Sequence, residues 1–194
     1  MIIDIFKTTI YKTSVNNVDY YNYFINLLNN SFVKKEGRIV SNKGGFQTNN
    51  FIFDFNNSKN KNIVDDLFIN PVSNFVSNFK QKKEITIKSC DFWINKNFPK
   101  SFNRRHYHTL NMISGVYYLE VPINSGAILF ENGDNCKLLN ENFSLFDDPN
   151  FYCEYKIQPK KFDLLLFFSE TIHSVEPNFS NEDRISVSFN IKIN

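Results

Sequence analysis

The chain has 194 residues, a formal net charge of +2 and an aromatic content of 16%. This length suits one domain with a sizeable core, residues 1–194, and the near-neutral charge gives no support for a nucleic-acid-binding protein. Three cysteines without C-x-x-C spacing argue against a disulfide framework and favour a reducing compartment. No apolar run is long enough to span a membrane, so we expect a cytoplasmic protein.

Two helices are predicted in residues 1–83, which we expect to act as a helical support region. The first should cover residues 19–32, where aromatic and leucine side chains recur at helical spacing after the start signal Asn16-Asn17. The second should run from about residue 60 to residue 80. Pro71 should kink or split it, because proline lacks the N–H that an α-helical hydrogen bond needs.

The pattern changes to short strands after Lys83. We predict strands over residues 84–94, 105–110, 115–121, 127–131, 152–157, 162–168 and 184–193. Strands this short, separated by Asn, Gly, Pro and Asp, are typical of an antiparallel barrel or double sheet. The predicted fold is therefore mainly β with N-terminal helices (α+β), with a jelly-roll core over residues 84–194.

The three histidines of the chain lie in two short segments of this predicted core. His106 and His108 form an H-x-H pair, and His173 lies in a distant segment. Residues i and i+2 of a strand point to the same face, so the pair could reach one ion. A third ligand from a neighbouring strand would complete one triangular face and leave the opposite face open. The pattern predicts a mononuclear metal site, and hence a metalloenzyme.

Arginine is rare in this lysine-rich chain, and it occurs at Arg38, Arg104, Arg105 and Arg184. Arg184 begins the last predicted strand, in which polar and apolar residues alternate, and a turn-rich stretch separates it from His173. That arrangement predicts a hairpin that brings Arg184 close to the metal. Since a guanidinium binds a carboxylate in two places, Arg184 is a candidate to hold the carboxylate of an organic co-substrate that chelates the metal.

Three runs of sequence carry a resemblance to a known family. They are Arg105-His-Tyr-His with Ser114-Gly-Val-Tyr-Tyr, Phe162-Asp-Leu-Leu-Leu-Phe-Phe-Ser with His173-Ser-Val, and Glu182-Asp-Arg-Ile-Ser-Val-Ser-Phe-Asn. Their order and spacing resemble the 2-oxoglutarate/Fe(II)-dependent oxygenases of bacteria and tailed phages, over roughly residues 85–194. The resemblance implies a double-stranded β-helix, Fe(II), 2-oxoglutarate and molecular oxygen. We also expect a small-molecule or peptide substrate and a cytoplasmic location, which for a phage protein is the infected host cell.

The resemblance makes His106 the first iron ligand and His173 the last. His108 stands where the wider superfamily has Asp or Glu. The third ligand is therefore either His108 or a carboxylate from a neighbouring segment, such as Glu131 or Asp134. No catalytic residue beyond the metal centre is implied.

The resemblance also implies the residues that bind 2-oxoglutarate. Arg184 and Ser186 match the Arg-x-Ser element that binds the C5 carboxylate, and Tyr117 or Tyr118 could donate a further hydrogen bond. As neighbours on a strand, the two tyrosines face opposite sides, so one of them belongs to the core. Trp93 is also expected in the core.

Two other classes of protein remain open. A cupin-like three-histidine protein, a dioxygenase or isomerase, would bind a metal without 2-oxoglutarate, although the glutamate usual after H-x-H is missing here. A non-catalytic β-barrel would bind a ligand or a partner and consume no co-substrate. The sequence determines neither the substrate nor the oligomeric state.

Overall fold

The computed structural model of the chain describes residues 7–53, 55, 60–133, 147–149 and 152–194. Within these residues the strands are β1 (Ile10–Ser14), β2 (Asn42–Lys43), β3 (Phe46–Gln47), β4 (Phe51–Ile52), β5 (Ile87–Asn97), β6 (Phe102–His106), β7 (Ile113–Glu120), β8 (Ile128–Glu131), β9 (Glu154–Ile157), β10 (Asp163–Phe168), β11 (His173–Val175) and β12 (Arg184–Ile193). They form a seven-stranded sheet of order β1-β10-β7-β12-β5-β3, in which β4 also pairs with β5. The remaining strands form a five-stranded sheet of order β2-β6-β11-β8-β9.

The first helix, α1 (Val18–Val33), confirms the prediction for residues 19–32. Its N-cap is Asn17, whose side chain accepts hydrogen bonds from the backbone N–H groups of Asp19 and Tyr20. An asparagine at this position satisfies N–H groups that have no partner inside the helix. The buried side of the helix includes Phe24 and packs on the seven-stranded sheet.

The second helical segment is divided where Pro71 was expected to divide it. It consists of α2 (Lys61–Val64), a π-helical turn (Asp65–Ile69) and α3 (Asn70–Val76), with Pro71 in the first turn of α3. Proline has no N–H, and its ring clashes with the carbonyl of the preceding turn, so the chain widens into a π turn before it. The segment ends at Val76, short of the predicted residue 80.

The seven-stranded sheet is covered on both faces. The helices pack on one face, and the five-stranded sheet packs on the other through side chains such as Val116, Phe130 and Phe167. In β12, Val187, Phe189 and Ile191 join the core under the helices. The alternate residues of β12 face the space between the sheets, which is where a polar cavity lies.

Two expectations about the strands were wrong. Strand β6 ends at His106 and does not continue to residue 110, because the chain then turns through Leu110, whose φ is +67°, a conformation that no strand contains. Among the described residues, four short strands also precede residue 84, so this region is not purely helical. Three of these strands, β2, β3 and β4, have only two residues and leave no alternating pattern for the sequence to reveal.

The predicted hairpin between His173 and Arg184 was also wrong. His173 begins β11 in the five-stranded sheet, whereas Arg184 begins β12 in the seven-stranded sheet. The turn-rich stretch between them therefore crosses from one sheet to the other. The two residues still line the same cavity, because the sheets face each other.

Among the described residues, no helix is both long and apolar enough to cross a membrane.

Candidate metal centre

The three histidines converge between the sheets. His106 ends β6 and His173 begins β11, and the two are direct partners across this antiparallel pair. His108 lies two residues beyond the end of β6, where its backbone N–H donates to the carbonyl of Ser169 at 2.8 Å. One ring nitrogen from each histidine lies within 4.8 Å of the others. Ligands about 2.1 Å from one ion lie at most about 4.2 Å apart, so a small ring rotation brings all three onto one metal.

Backbone carbonyls orient two of the rings. Nδ1 of His106 lies 2.6 Å from the carbonyl oxygen of Arg104, and Nδ1 of His173 lies 2.9 Å from that of Thr171. A carbonyl can only accept, so each Nδ1 carries the proton and donates it. This leaves Nε2 of both rings deprotonated and free to bind a metal, which is the arrangement that metal-ligating histidines commonly show.

The surroundings hold all three imidazoles in their neutral form. Burial lowers the pKa of His106, partly opposed by its hydrogen bond to Arg104. Burial, followed by repulsion from His106, lowers the pKa of His108 to about 4 and that of His173 to about 3. A neutral imidazole is the form that coordinates metals, so the metal-free site is ready to bind at neutral pH.

The structure places His108, and not Glu131, beside His106 and His173. The carboxylate of Glu131 is bound to Nε of Arg105 at 2.6 Å. Among the described residues, the group that could hold a metal consists of the three histidines alone. Asp134 lies outside the described residues.

The histidines lie in a cavity of about 200 Å³ whose opposite wall is β12. Arg184 lines this cavity and is 1% exposed. Its Nη1 donates to the carbonyl of Ser125 at 2.6 Å, but its Nη2 is buried without a hydrogen-bond partner in the described part of the chain. A buried guanidinium nitrogen without a partner is rare, because removing its N–H groups from water without a replacement hydrogen bond costs free energy. Arg184 therefore fits an anionic ligand in the cavity, such as the C5 carboxylate of 2-oxoglutarate.

The two adjacent tyrosines are placed on opposite sides of β7. Tyr118 lines the cavity, where burial raises its pKa and Arg184 partly opposes that rise. Tyr117 faces the helices, and its hydroxyl donates to the carbonyl of Val15 at 2.7 Å. The structure therefore brings Tyr118 and Ser186 to Arg184's side of the cavity and leaves Tyr117 in the core.

Sequence reasoning missed several residues of the cavity wall, and Trp93 and Arg38 are two of them. Trp93 is buried, as expected, but it also lines the cavity, and its ring lies 5.7 Å from that of His108. Arg38 lines the same cavity, with its Cζ 5.7 Å from the centre of the Trp93 ring. The alternation of Trp93, Asn95 and Asn97 along β5 was a usable signal, since these side chains share one face. For Arg38 the signal was the rarity of arginine.

Comparison with known proteins agrees with this geometry. Residues 91–190 match the family model described as "Putative 2OG-Fe(II) oxygenase". No curated protein sequence matches the chain. Among solved structures, a Pseudomonas putida prolyl-4-hydroxylase is similar with a TM-score of 0.63 and 14% identity, over 95% of this chain and 92% of that one.

Two further solved structures are similar over 95% of this chain. One is the carbocyclase SnoK from nogalamycin biosynthesis, with a TM-score of 0.63, 12% identity and 79% of its own chain covered. The other is HygX from Streptomyces hygroscopicus with nickel and 2-oxoglutarate bound, with a TM-score of 0.56, 12% identity and 82% covered. At these identities the likeness shows the shared double-stranded β-helix fold. The family match covers more than half of the chain, which therefore belongs to the 2OG-Fe(II) oxygenase family.

Proposed function

We propose that this protein is a 2-oxoglutarate- and Fe(II)-dependent dioxygenase that hydroxylates a C–H bond of a small-molecule or peptide substrate. In the overall reaction, 2-oxoglutarate, O₂ and the substrate give succinate, CO₂ and the hydroxylated product. The observation that carries the proposal is the presence of two sites in one cavity: three convergent neutral histidines, and a buried arginine whose Nη2 has no partner among the described residues.

Each part of the cavity has a task in this reaction. His106, His108 and His173 would hold Fe(II). When bound, this metal supplies the reaction with O₂ and the electron transfer that protein side chains cannot carry out. Arg184 would bind the C5 carboxylate of 2-oxoglutarate. Ser186 and Tyr118, which line the same wall, would add neutral hydrogen bonds that fix its orientation.

Apolar side chains close the rest of the cavity. Val116, Ile128 and Phe167 line it from both sheets and limit the entry of water. The cavity is smaller than the roughly 300–1,000 Å³ of pockets that enclose a drug-sized ligand. We therefore expect the substrate to insert only a small group beside the co-substrate.

Arg184 favours the oxygenase over the two other classes of protein. A cupin-like enzyme without 2-oxoglutarate would leave Nη2 of Arg184 without a partner in a buried site. A binding module without a metal would leave three neutral imidazoles crowded together without a role.

Succinate formation is the direct test. Purified protein with Fe(II), O₂ and 2-oxoglutarate should release succinate and CO₂, slowly without substrate and faster with it. The His173→Ala variant should bind no iron and should release no succinate. If the wild-type protein binds iron but neither forms succinate nor binds 2-oxoglutarate, the cupin-like alternative is favoured. A failure to bind iron at all would favour the binding module.

A further inference from the structure

Arg38 also lines the cavity, and the proposed reaction assigns it no role. It lines the cavity from the segment between α1 and β2. One end of its guanidinium is fixed, since Nη2 donates to Oδ1 of Asn50. Its Nε is buried and has no hydrogen-bond partner in the described residues. A buried donor of this kind needs an acceptor, and the described protein supplies none.

A second unpartnered polar atom lies on the same wall. Asn95 of β5 donates from Nδ2 to Oγ of Ser188 at 3.0 Å, whereas its Oδ1 is buried without a partner among the described residues. The two ends of an amide can be exchanged by a flip of the side chain. Asn95 can therefore offer either a donor or an acceptor to a ligand that is already held by Arg38.

Trp93 lies farther along the strands than the place proposed for 2-oxoglutarate, whereas Asn95 is opposite Ser186 and adjoins that place. On the paired strands β5 and β12, Arg184 is opposite Asn97, and Trp93 is opposite Ser188. The four residue steps along β12 from Arg184 to Ser188 span roughly 13 Å. The centre of the Trp93 ring lies 5.7 Å from the centre of the His108 ring and 5.7 Å from Cζ of Arg38. Arg38 therefore borders Trp93, on the part of the wall that lies beyond Ser186 from Arg184.

The charge around this group favours an anionic ligand. No aspartate or glutamate is among the described residues that line the cavity. Burial raises the pKa of Asp91 and Arg38 partly opposes that rise, and the Asp91 carboxylate accepts from Nδ2 of Asn50 at 3.0 Å. No described ion pair joins Asp91 to Arg38, so the guanidinium is not neutralised by direct contact. The chain also places arginine here although it otherwise uses lysine, and the planar fork suits a carboxylate.

We propose that Arg38, Asn95 and Trp93 form a substrate subsite that binds a carboxylate of the substrate, with the Trp93 ring contacting the planar or apolar part next to it. The exposed side chains of Val40 and Tyr107 also line the cavity and extend this apolar surface outward. The role as a substrate site rests on the proposed oxygenase function. It narrows the substrate to organic acids and to peptides or amino acids with a free carboxylate.

Trp93 is the single tryptophan of the chain, so its fluorescence reports on this subsite directly. Protein loaded with Zn(II) and saturated with 2-oxoglutarate would be titrated with benzoate, and with benzamide and phenyl phosphate as neutral and phosphate probes. We expect saturable binding of benzoate in the millimolar range and weaker binding of the other two. Arg38→Gln should weaken benzoate binding about tenfold or more, about 1.4 kcal/mol, and leave 2-oxoglutarate binding unchanged.

Two control variants separate binding from structure. Arg105→Gln removes the same charge from a residue that does not line this cavity, and it should leave benzoate binding intact. Asn50→Ala removes the support of Arg38 but keeps its charge, and it should retain most of the benzoate affinity.

The proposal is overturned if benzoate binds equally well to Arg38→Gln, or if it gives no response in the wild-type protein. It is also overturned if Asn50→Ala behaves like Arg38→Gln, which would indicate a structural role, or if phenyl phosphate binds more tightly than benzoate. Failure of 2-oxoglutarate to bind, together with benzoate binding that depends on Arg38, would instead contradict the proposed function and leave the anion subsite standing.

Discussion

At the scale of single residues, the metal centre is unusual because its three described ligand candidates carry no charge. A site with two histidines and one carboxylate would neutralise half of the charge of Fe(II), whereas three neutral imidazoles neutralise none. The bound metal would then attract anionic ligands more strongly, since each unit of charge left on the ion adds to the attraction. A dianionic co-substrate anchored at Arg184 fits that requirement.

The first prediction distinguishes His108 from Glu131 as the third ligand. His108→Ala should weaken Fe(II) or Mn(II) binding at least about 100-fold, because losing even a supporting partner of a ligand commonly costs 10- to 100-fold. Glu131→Gln should leave metal affinity unchanged, since Glu131 is bound to Arg105. Metal content after dialysis would measure both. If Glu131→Gln weakens metal binding and His108→Ala does not, Glu131 is the third ligand. If neither variant changes the metal affinity, the third ligand lies outside the described residues.

The second prediction concerns Arg184. Losing one partner of a buried charge-assisted contact typically costs about 2–5 kcal/mol, so Arg184→Ala should weaken 2-oxoglutarate binding about thirtyfold or more. Arg184→Lys should recover only part of this, because a point charge cannot reproduce the fork. Calorimetric titration of 2-oxoglutarate into Mn(II)-loaded protein measures the effect. Metal binding should survive in both variants, which checks that they fold. Equal affinity in wild type and Arg184→Ala would place the co-substrate elsewhere.

At the scale of elements, β7 and β12 serve both the core and the cavity. Their apolar residues pack under the helices, while Arg184, Ser186 and Tyr118 face the other side. Close packing of these apolar residues beneath the helices fixes the positions of the two strands. Gly115 of β7 is opposite Phe189 of β12 and Leu166 of β10, and both side chains occupy the space that a larger residue would need.

The third prediction is that Gly115→Ala destabilises the protein by about 1–3 kcal/mol, the usual cost of overpacking a core. A Cβ at this position would lie 2.6 Å from Cε2 of Phe189 and 2.7 Å from Cδ2 of Leu166. Gly133→Ala is the matched control, because no described atom lies within 4 Å of its added Cβ. Urea denaturation would measure both variants. Equal stability of the two would show that the strands can shift without cost.

At the scale of the whole molecule, the site depends on the packing of the two sheets. The five-stranded sheet supplies His106 and His173, and the seven-stranded sheet supplies Arg184 and Trp93. Unfolding separates these groups and returns the buried imidazoles to water. The stability of the metal-free protein is therefore linked to the protonation of the histidines.

The fourth prediction gives the sign of this linkage. His108 and His173 have pKa values of about 4 and about 3 in the folded protein, against about 6.5 in an unfolded chain. Between these values the unfolded chain binds more protons, so stability is complete above about pH 6.5 and is lost as the pH falls below it. The slope should approach 1.4 kcal/mol per pH unit for each histidine at most. Urea denaturation of chelator-treated protein over this range measures it.

His173→Gln should flatten the dependence, because glutamine does not titrate. A wild-type protein that is equally stable, or more stable, at the lower pH would contradict the predicted sign.

The sequence by itself determined the mainly β class, helix α1, the division of the second helix at Pro71 and the two segments that contain the histidines. These features follow from local patterns. Side chains at a fixed period define a helix face or a strand face, and a proline acts on its own helical turn. The polar face of β12 was readable for the same reason, because Arg184, Ser186, Ser188 and Asn190 alternate with apolar residues.

Only the tertiary structure decided which of these residues meet. His108 reaches the other histidines from a loop and not from a strand, and Arg184 reaches the cavity from the opposite sheet and not through a hairpin. The tertiary structure also decided that Tyr118 and not Tyr117 faces the cavity, and the packing of distant segments brought Trp93 and Arg38 to the cavity wall. Contacts between residues far apart in sequence depend on strand order and sheet packing, and no local period encodes either.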